Sequence, residues 1–279
     1  MRILVTGGIG RIGRAAVARL LKHGHEVHIL DRNPRDEIET DIWETVAGAV
    51  YHQVDITDFE RLVAYFVGMD AVVHLAAIPH PGGAPEPEIF RINDEGAFNV
   101  YRAAADAGVN RVVSASSINA LGYNYGIKRF PIRYFPIDED HPTCTTDPYS
   151  FSKQILEEIG AYFWRREGIS GVCLRFPAVI DPASPWLKRM RGFFSHRQAA
   201  FETLRAMPDD ERRSKIEALI EAADTRRAKR LQERPWKEPR GDFRRRHREP
   251  SEPPSPAQVV MFGWTDFWTL IHIEDAAQA

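Results

Sequence analysis

Ile3-Leu4-Val5-Thr6-Gly7-Gly8-Ile9-Gly10-Arg11-Ile12-Gly13 stands at the start of the chain and decides the expected fold. A short apolar run leads into three glycines, Gly7, Gly10 and Gly13, and the residues after them have helical periodicity. Glycines so spaced at a strand–helix junction permit a tight turn and let a pyrophosphate approach the backbone, where free N–H groups and the helix dipole attract it. The stretch therefore predicts a dinucleotide-binding turn that includes Arg11 and Ile12.

Apolar runs of strand length alternate with stretches of helical periodicity as far as residue 180. This alternation is typical of the α/β class, a doubly wound parallel sheet (Rossmann fold) with helices on both faces. Strands are predicted at Ile3–Thr6, Glu26–Asp31, Ala49–Asp55, Ala71–Ala76, Arg111–Ser116 and Gly171–Phe176. Helices are predicted at Arg11–Lys22, Asp58–Phe66, Pro87–Ala107 and Asp147–Arg166, and a long functional loop is predicted at Gly122–Thr146.

The character of the sequence changes after residue 182. Apolar residues recur at helical spacing over Phe201–Met207 and Ile216–Ala223, which predicts two charged amphipathic helices separated by Pro208-Asp209-Asp210. Arg234–Pro256 is rich in proline, arginine and glutamate, and we expect it to be flexible. We predict two domains, a dinucleotide-binding domain with the catalytic residues at 1–182 and a small, mostly helical substrate-binding cap at 183–279.

The composition is that of a globular protein, with 43% hydrophobic residues, 27% charged residues and a net charge of −2, so a fibrous or wholly disordered chain is excluded. No apolar run approaches the roughly 20 residues of a membrane helix. Because Met1 leads directly into a predicted strand, we expect no leader, no membrane partner and a cytoplasmic location. Residues 188–249 carry 19 Lys and Arg against 11 Asp and Glu, a net of +8. These charges are mixed and lack interleaved aromatic side chains, so no nucleic-acid partner is predicted.

No metal centre is predicted. The two cysteines, Cys144 and Cys173, are too few for a disulfide framework and lack metal-ligand spacing. His23, His25 and His28 are too closely placed around a predicted turn and strand to form a metal site. His74 lies on a predicted buried strand and is interpreted as a packed core residue rather than a catalyst.

Asp31 ends the second predicted strand, about twenty residues beyond the glycines, where a carboxylate accepts hydrogen bonds from the adenosine ribose and repels a 2′-phosphate. Its position favours NAD over NADP as the cofactor, although the adjacent Arg32 leaves NADP open. Asp55 and Ile56 end the third strand. They either flank the adenine or belong to an ordinary helix N-cap sequence.

Tyr149 and Lys153 stand one helical turn apart, so both side chains share one face of the predicted helix. A phenol is a poor base at neutral pH, and a neighbouring ammonium favours its ionised form and lowers its pKa. We therefore predict that Lys153 activates Tyr149 as an acid/base and also binds the nicotinamide ribose. Ser116 and Ser117 follow the fifth strand at the sheet edge where ligands bind, and either one meets the substrate oxygen or both cap the strand end.

Several stretches resemble the extended short-chain dehydrogenase/reductase family, the NAD-dependent epimerases and dehydratases. They are Thr6–Gly13, His74-Leu75-Ala76-Ala77, Asn93, Ser117, the pair Tyr149 and Lys153, Leu174–Pro177 and Leu270–Asp275. The resemblance covers residues 1–182 and 258–279. It implies that Ser117 orients the substrate oxygen, that Tyr149 is the acid/base and that the backbone near Pro177 binds the nicotinamide carboxamide. It also implies NAD contacts from Leu75, Ala76, Ala77 and Asn93.

Two departures from the family pattern bear on the substrate. The chain has no asparagine between Phe176 and Pro177, and Trp268 stands where an arginine commonly serves a nucleotide diphosphate. The stretch Ala115–Tyr123 is similar to the uronate-dehydrogenase-like branch, which oxidises free sugar acids. The family's dimeric four-helix bundle implies a homodimer through the helices predicted at Pro87–Ala107 and Asp147–Arg166. Because relatives continue beyond the Leu270–Asp275 motif, we also expect the chain to be truncated or completed by a partner.

These observations predict an NAD-dependent oxidoreductase or epimerase that transfers a hydride at a hydroxyl carbon of a sugar or sugar acid. One alternative is a nucleotide-sugar epimerase that retains its NAD. Another is a non-catalytic NAD-sensing or scaffold protein with a basic cap. Dehydration ranks lower, because Ser117-Ile118-Asn119 offers no additional acid/base pair. Arg175 is interpreted equally well as an anion contact or as half of a structural ion pair.

Overall fold

The computed structural model describes residues 1–123, 125–128, 130, 132–180, 198–232 and 270–272. Its strands are β1 (Arg2–Thr6), β2 (Glu26–Asp31), β3 (Val50–Gln53), β4 (Ala71–His74), β5 (Arg111–Ser117), β6 (Ser170–Phe176), β7 (Ala178–Ile180) and β8 (Leu270–His272). The first six form one parallel sheet in the order β3-β2-β1-β4-β5-β6, and β7 pairs in parallel with β8. The predicted doubly wound Rossmann sheet is confirmed, and the order reverses between β1 and β4.

The helices are α1 (Arg11–Lys22), α2 (Thr40–Val46), α3 (Phe59–Leu62), α4 (Glu86–Phe90), α5 (Gly96–Asp106), α6 (Pro148–Glu167), α7 (residues 198–206) and α8 (Asp209–Gln232). The predicted helix over Pro87–Ala107 is interrupted by a π-helical turn at Arg91–Glu95. The short α2 was not predicted, because its seven residues offer too few turns for a periodic apolar stripe. Three 3₁₀ turns complete the described part, at Arg35–Glu37, Val63–Phe66 and Ile118–Leu121.

The alternation of side chains along β1 builds two cores, one on each face of the sheet. Leu4 points into a cluster with Val72 and Val112, and α5 and α6 cover that cluster with Tyr101 and Phe163. The neighbouring residues of β1 point the other way, into a cluster covered by α1 and α2; its members are Ile3, Val5, Val27, Ile29, Val17 and Val46. Helices on both faces leave the carboxyl edge of the strands as the open side of the sheet.

The helix that carries the predicted tyrosine and lysine has strong boundary signals. The Asp147 carboxylate caps α6 by accepting a hydrogen bond from the Ser150 N–H at 2.9 Å, and Pro148 occupies the first helical position. Gly168 ends the helix at φ +72°, a left-handed conformation that favours glycine. These caps fix which residues of α6 face the sheet.

The later segments are described only in part. Helices cover both stretches predicted to be helical, Phe201–Met207 in α7 and Ile216–Ala223 in α8. Their predicted amphipathic character stays a prediction. The segment Arg234–Pro256, expected to be flexible, lies outside the described residues, as does Trp268. None of the helices in the described ranges combines the length and the apolar character that a membrane span requires.

Candidate functional site

The glycine turn between β1 and α1 is closed so tightly that side chains are excluded. Gly7 has φ +70°, and a Cβ there would lie 2.8 Å from the Ala76 Cα. A Cβ on Gly13 would lie 2.1 Å from the Gly7 carbonyl oxygen, which also accepts a hydrogen bond from the Gly10 N–H at 3.0 Å. The turn therefore depends on glycine at both Gly7 and Gly13.

The N-terminus of α1 fits an anion. Gly10 precedes the helix without a side-chain cap, the first turn holds no acidic residue, and a Cβ on Gly10 would meet only the Gly7 carbonyl oxygen. Backbone N–H groups and the positive end of the helix dipole are thus left for a ligand such as a pyrophosphate. Ile12 is half-buried, whereas Arg11 is exposed and donates to the Val179 carbonyl oxygen at 3.4 Å.

Asp31 lies at the end of β2 beside this turn. Burial raises the pKa of its carboxyl group, while hydrogen bonds from the backbone of Asn33, Arg32 and Ile9 act in the opposite direction. The Asn33 N–H is 3.3 Å from the Asp31 Oδ1. The structure therefore places the predicted ribose-binding carboxylate next to the glycine turn.

Asp55 and Ile56 follow β3 and serve the local fold. The Asp55 Oδ1 accepts hydrogen bonds from the N–H and the hydroxyl of Thr57, at 2.9 and 2.8 Å. The cap of α3 is Asp58, whose side chain accepts from the Arg61 N–H. Ile56 is buried, and its carbonyl oxygen accepts from the Asn99 amide at 3.1 Å. Both predicted adenine contacts thus lie in a rigid turn.

The stretch after β4 closes against the glycine turn. The Thr6 hydroxyl is 2.8 Å from the His74 Nδ1 and 3.3 Å from the N–H groups of both Leu75 and Ala76. Burial, together with the charge of Lys153, lowers the pKa of His74 to about 3. His74 is therefore neutral, as expected for a packed core residue. Ala77 continues the same stretch and is half-buried.

Asn93 joins this stretch to α6. Its side chain accepts from the Ile78 N–H at 2.7 Å and donates to the Ile78 carbonyl oxygen at 3.1 Å. It also donates to the Ser152 hydroxyl at 2.9 Å. Because Asn93 is buried and these bonds occupy its amide, it holds the backbone after β4 in place.

The two serines at the end of β5 have different environments. The Ser116 hydroxyl donates to the Glu157 carboxylate at 2.5 Å, and Arg175 donates to the same carboxylate at 3.0 and 2.8 Å. Arg175 is thus half of a structural ion pair, one of its two predicted roles. Ser116 is held within that network, which leaves Ser117 as the serine of the predicted site.

Ser117 is fixed by its neighbour Asn119. The Ser117 Oγ accepts from the Asn119 backbone N–H at 3.2 Å and from the Asn119 side-chain amide at 3.0 Å. A hydroxyl accepts two hydrogen bonds and donates one, so both acceptor positions are filled. The Ser117 proton is left to donate, with the Phe176 carbonyl oxygen 3.5 Å away and the Tyr149 phenol as a second acceptor.

Tyr149 and Lys153 lie together under the end of β5. The Lys153 ammonium donates to the Ala115 carbonyl oxygen at 2.8 Å and is 5.7 Å from the centre of the Tyr149 ring. The Tyr125 ring meets the Tyr149 ring edge to face at 6.0 Å. Tyr149 and Lys153 are both buried, at 8% and 6% exposure. The predicted Ser117, Tyr149 and Lys153 are thus brought to one edge of the sheet.

The electrostatics of the pair differ from the sequence-based expectation. Burial raises the pKa of Tyr149, and only the hydrogen bond from Ser117 opposes that rise. Burial lowers the pKa of Lys153 to about 8. The lysine was predicted to lower the pKa of the tyrosine, but its ammonium is directed to the Ala115 carbonyl oxygen, so desolvation of the phenol dominates in this arrangement.

The remaining predicted contact, Pro177, lies between β6 and β7, directly after the carbonyl group that faces Ser117. Sequence reasoning missed Asn119 and Glu157 as members of the cluster. The two-residue spacing from Ser117 to Asn119 was a usable signal for Asn119, because a hydroxyl and an amide so spaced often bond within a turn. Among the described residues, no group of three His, Cys, Asp or Glu side chains is arranged to hold a metal ion.

A doubly wound sheet with this glycine turn and a serine, tyrosine and lysine at its carboxyl edge defines the class of short-chain dehydrogenases and reductases. Residues 3–204 match the model of the NAD dependent epimerase/dehydratase family. The chain belongs to that family.

Individual relatives include both dehydrogenases and epimerases. The chain is 32% identical to the NAD-dependent glucose-6-phosphate dehydrogenase of Haloferax volcanii over 62% of its own length and 66% of that protein. It is 32% identical to the UDP-glucose 4-epimerase of Lactobacillus helveticus over 66% of its length and 53% of that protein. A solved structure of a mutated uronate dehydrogenase superposes with a TM-score of 0.53, at 27% identity, over 64% of this chain and 59% of that one. The chain thus matches between about half and two thirds of the length of these proteins.

Proposed function

We propose that the protein is an NAD-dependent oxidoreductase that transfers a hydride at a hydroxyl-bearing carbon of a sugar or sugar acid. The observation that carries the proposal is the convergence of Ser117, Tyr149 and Lys153 at the sheet edge that also holds the glycine turn. Gly7 lies directly against the Ala76 backbone, so the turn that would hold a dinucleotide and the tyrosine belong to the same edge of the sheet.

The geometry assigns a role to each side chain. Ser117 is restricted to donating, so it would bind the substrate oxygen and polarise it. For oxidation, Tyr149 would accept the hydroxyl proton as a phenolate, and for reduction the phenol would donate a proton to the carbonyl oxygen. Because burial favours the protonated phenol, Tyr149 is ready for reduction and has to lose its proton before oxidation. Lys153 would fix the ribose and stabilise negative charge on the tyrosine. Bound NAD supplies the other half of the reaction by accepting or returning the hydride.

The glycine cradle and the uncapped α1 N-terminus support the fit of NAD. Asp31 supports NAD over NADP, because its carboxylate suits ribose hydroxyls and opposes a phosphate. The residues proposed to contact NAD are Gly7, Gly10, Arg11, Ile12, Gly13, Asp31, Asp55, Ile56, Leu75, Ala76, Ala77, Asn93, Tyr149, Lys153 and Pro177. In the proposed division, residues 1–182 bind NAD and residues 183–279 close over the substrate.

A free sugar or sugar acid is our first choice of substrate. The uronate dehydrogenase supports a sugar acid, and the glucose-6-phosphate dehydrogenase supports a sugar that carries no nucleotide. The UDP-glucose 4-epimerase supports the alternative of a nucleotide sugar and retained NAD. The missing asparagine between Phe176 and Pro177 favours the free sugar, because that residue commonly serves the nucleotide diphosphate in the family. A dehydrogenase exchanges its NADH with solvent, whereas an epimerase keeps it.

We also propose a homodimer. Three large aromatic side chains are exposed on the helical face formed by α4, α5 and α6, namely Phe90, Phe98 and Phe151. The Phe90 ring of α4 stacks on the Phe151 ring of α6 at 6.3 Å, which makes the two helices one apolar surface. A patch of this kind suits burial against its own copy across a two-fold axis.

We propose a cytoplasmic location. The two free thiols, Cys144 and Cys173, are compatible with the reducing environment of the cytoplasm.

The proposal is tested by following absorbance at the NADH band while purified protein and NAD are offered free uronates, neutral aldoses and nucleotide sugars. Growth of the band with a free sugar or sugar acid would support the dehydrogenase. No change in absorbance, with NADH already bound to the purified protein, would support the epimerase. No change in absorbance together with no bound cofactor and no NAD binding would contradict the proposed enzymatic function and favour a scaffold protein.

A further inference from the structure

Asp94 occupies an unusual position in the helix that follows β4. A regular α-helix on the protein surface buries one stripe of side chains, so three consecutive residues are rarely all buried. Here Ile92, Asn93 and Asp94 are all buried, and the three lie in the π-helical turn at Arg91–Glu95. Such turns occur frequently at functional sites. The turn carries Asp94 into the interior, where it is only 3% exposed.

The Asp94 carboxylate is not satisfied by hydrogen bonds. Both of its oxygens are buried, and neither has a hydrogen-bond partner in the described part of the chain. Burying a carboxylate without such partners is costly, so a group kept in this state needs a reason other than stability. The mechanism described above does not use it.

Asp94 lies close enough to the site lysine for the charges of the two groups to interact. The Asn93 amide binds the Ser152 hydroxyl at 2.9 Å and packs the π-helical turn against α6 at the residue before Lys153. Lys153 has three N–H donors, of which one is given to the Ala115 carbonyl oxygen. Burial raises the pKa of Asp94 to about 7, and the charge of Lys153 opposes that rise. Burial lowers the pKa of Lys153, and the charge of Asp94 opposes that fall.

The other groups that face Lys153 cannot supply a negative charge near neutral pH. His74 on β4 is neutral, because burial lowers its pKa to about 3. Cys173 on β6 is a neutral thiol, because burial raises its pKa to about 11. Tyr149 on α6 itself is protonated, because burial raises its pKa. Within the described residues, Asp94 is left as the counter-charge at pH values above its own pKa of about 7.

We propose that Asp94 is a positioning residue whose buried carboxylate keeps Lys153 protonated, so that the lysine retains its charge in the water-excluded site. The catalytic consequence rests on the proposed function. In that role Asp94 touches neither substrate nor cofactor, and it acts on the reaction only through the charge of Lys153.

The first test titrates Lys153 directly and needs no substrate. In protein labelled with ¹⁵N-lysine, the Lys153 signal is assigned with Lys153→Met and its titration is followed by NMR. We expect Asp94→Asn to lower the pKa of Lys153 by about one unit or more, the usual effect of removing an opposite charge. Asp94→Glu should keep the pKa of Lys153 close to that of wild type. Glu95→Gln removes an exposed carboxylate one residue along the same turn and should leave the pKa of Lys153 unchanged. An unchanged Lys153 pKa in Asp94→Asn overturns the proposal.

The second test separates this role from a merely structural one. Burial raises the pKa of Asp94 from its ordinary value of 3.8 to about 7, so the folded state binds this proton more tightly than the unfolded chain does. The free energy of unfolding therefore falls as the pH rises from about 4 to about 7. Asp94→Asn should therefore unfold at the same or a higher temperature than wild type at pH 8, while the alkaline limb of kcat/KM moves to lower pH. A lowered unfolding temperature with an unmoved pH profile would make Asp94 a structural residue and contradict the proposal. Absence of turnover in wild type would instead count against the proposed function and leave the NMR result standing.

Discussion

The glycine turn and the serine–tyrosine–lysine cluster lie at the same edge of one sheet, yet they are built in opposite ways. The turn is made of backbone, and its shape follows from the absence of side chains at Gly7 and Gly13. The cluster is made of side chains whose roles depend on buried neighbours, as Ser117 depends on Asn119 and Lys153 on Ala115. Cofactor binding should therefore be sensitive to side-chain volume at the glycine turn, whereas the rate of the reaction should be sensitive to the hydrogen bonds and charges of the cluster.

Among the variants considered, Tyr149→Phe should have the largest effect, and this effect should fall on kcat. Loss of a positioned acid/base costs about 10²- to 10⁴-fold in rate, so kcat should fall by that amount while the NAD dissociation constant stays as in wild type. Steady-state kinetics and calorimetric titration of NAD measure the two quantities. Tyr123→Phe, which alters another buried tyrosine, should retain kcat. Retained turnover in Tyr149→Phe would remove the tyrosine from the mechanism.

Gly13→Ala should have the next largest effect and the reverse pattern. The new Cβ would lie 2.1 Å from the Gly7 carbonyl oxygen, so the turn must open. Overpacking of this kind costs about 1–3 kcal/mol, which corresponds to about 5- to 150-fold in NAD affinity if the loss falls on the turn. Calorimetry measures the affinity, with Gly48→Ala as control, since its Cβ would meet only the Leu21 side chain. NAD affinity equal to that of wild type would show that the turn does not hold the cofactor.

Asn119→Ala should have a smaller effect, confined to the chemistry. The Ser117 hydroxyl loses one of its two donors and can then rotate. A hydrogen bond of this kind contributes about 0.5–1.5 kcal/mol, so we expect a loss of about 2- to 10-fold in kcat/KM with unchanged NAD affinity. The exposed Asn110→Ala is the control. Equal kinetics in wild type and Asn119→Ala would show that Ser117 needs no such restraint.

Asp31→Asn should give the smallest effect. Removing the carboxylate removes its repulsion of a 2′-phosphate, while Arg32 stays beside it. At a partly solvated site such a charge is worth no more than about 1 kcal/mol, so the ratio of NADP to NAD activity should rise by about two- to fivefold. Parallel initial rates with the two cofactors measure the ratio. A fall in the ratio would contradict the role given to Asp31.

The same contrast explains what the sequence could and could not reveal. The glycine turn, the strands of the six-stranded sheet and the spacing of Tyr149 and Lys153 are local patterns, and each was predicted from the chain alone. The burial of Asp94 was not predictable, because a π-helical turn breaks the periodicity on which the helix prediction rests. Nor was the raised pKa of Tyr149, since desolvation depends on residues brought together only in the folded chain.

The pairing of Glu157 with Arg175 and Ser116 shows the same limit. Ser116 and Ser117 are adjacent and chemically identical in the sequence, and only the fold reveals that the Glu157 carboxylate binds one of them. Asn119 was within reach of sequence reasoning, because its partner is two residues away. Contacts between helical segments far apart in the sequence, such as that of Asn93 with Ser152, were not.

Deuterium transfer tests most directly whether a hydride moves between a sugar carbon and NAD at this site. The substrate that responds in the absorbance screen would be prepared with deuterium on the carbon that is oxidised, and the products would be analysed by mass spectrometry. We predict that the deuterium appears in NADH for a dehydrogenase, or stays with the sugar for an epimerase that retains its cofactor. Loss of the deuterium to solvent in both cases would contradict hydride transfer and with it the proposed function.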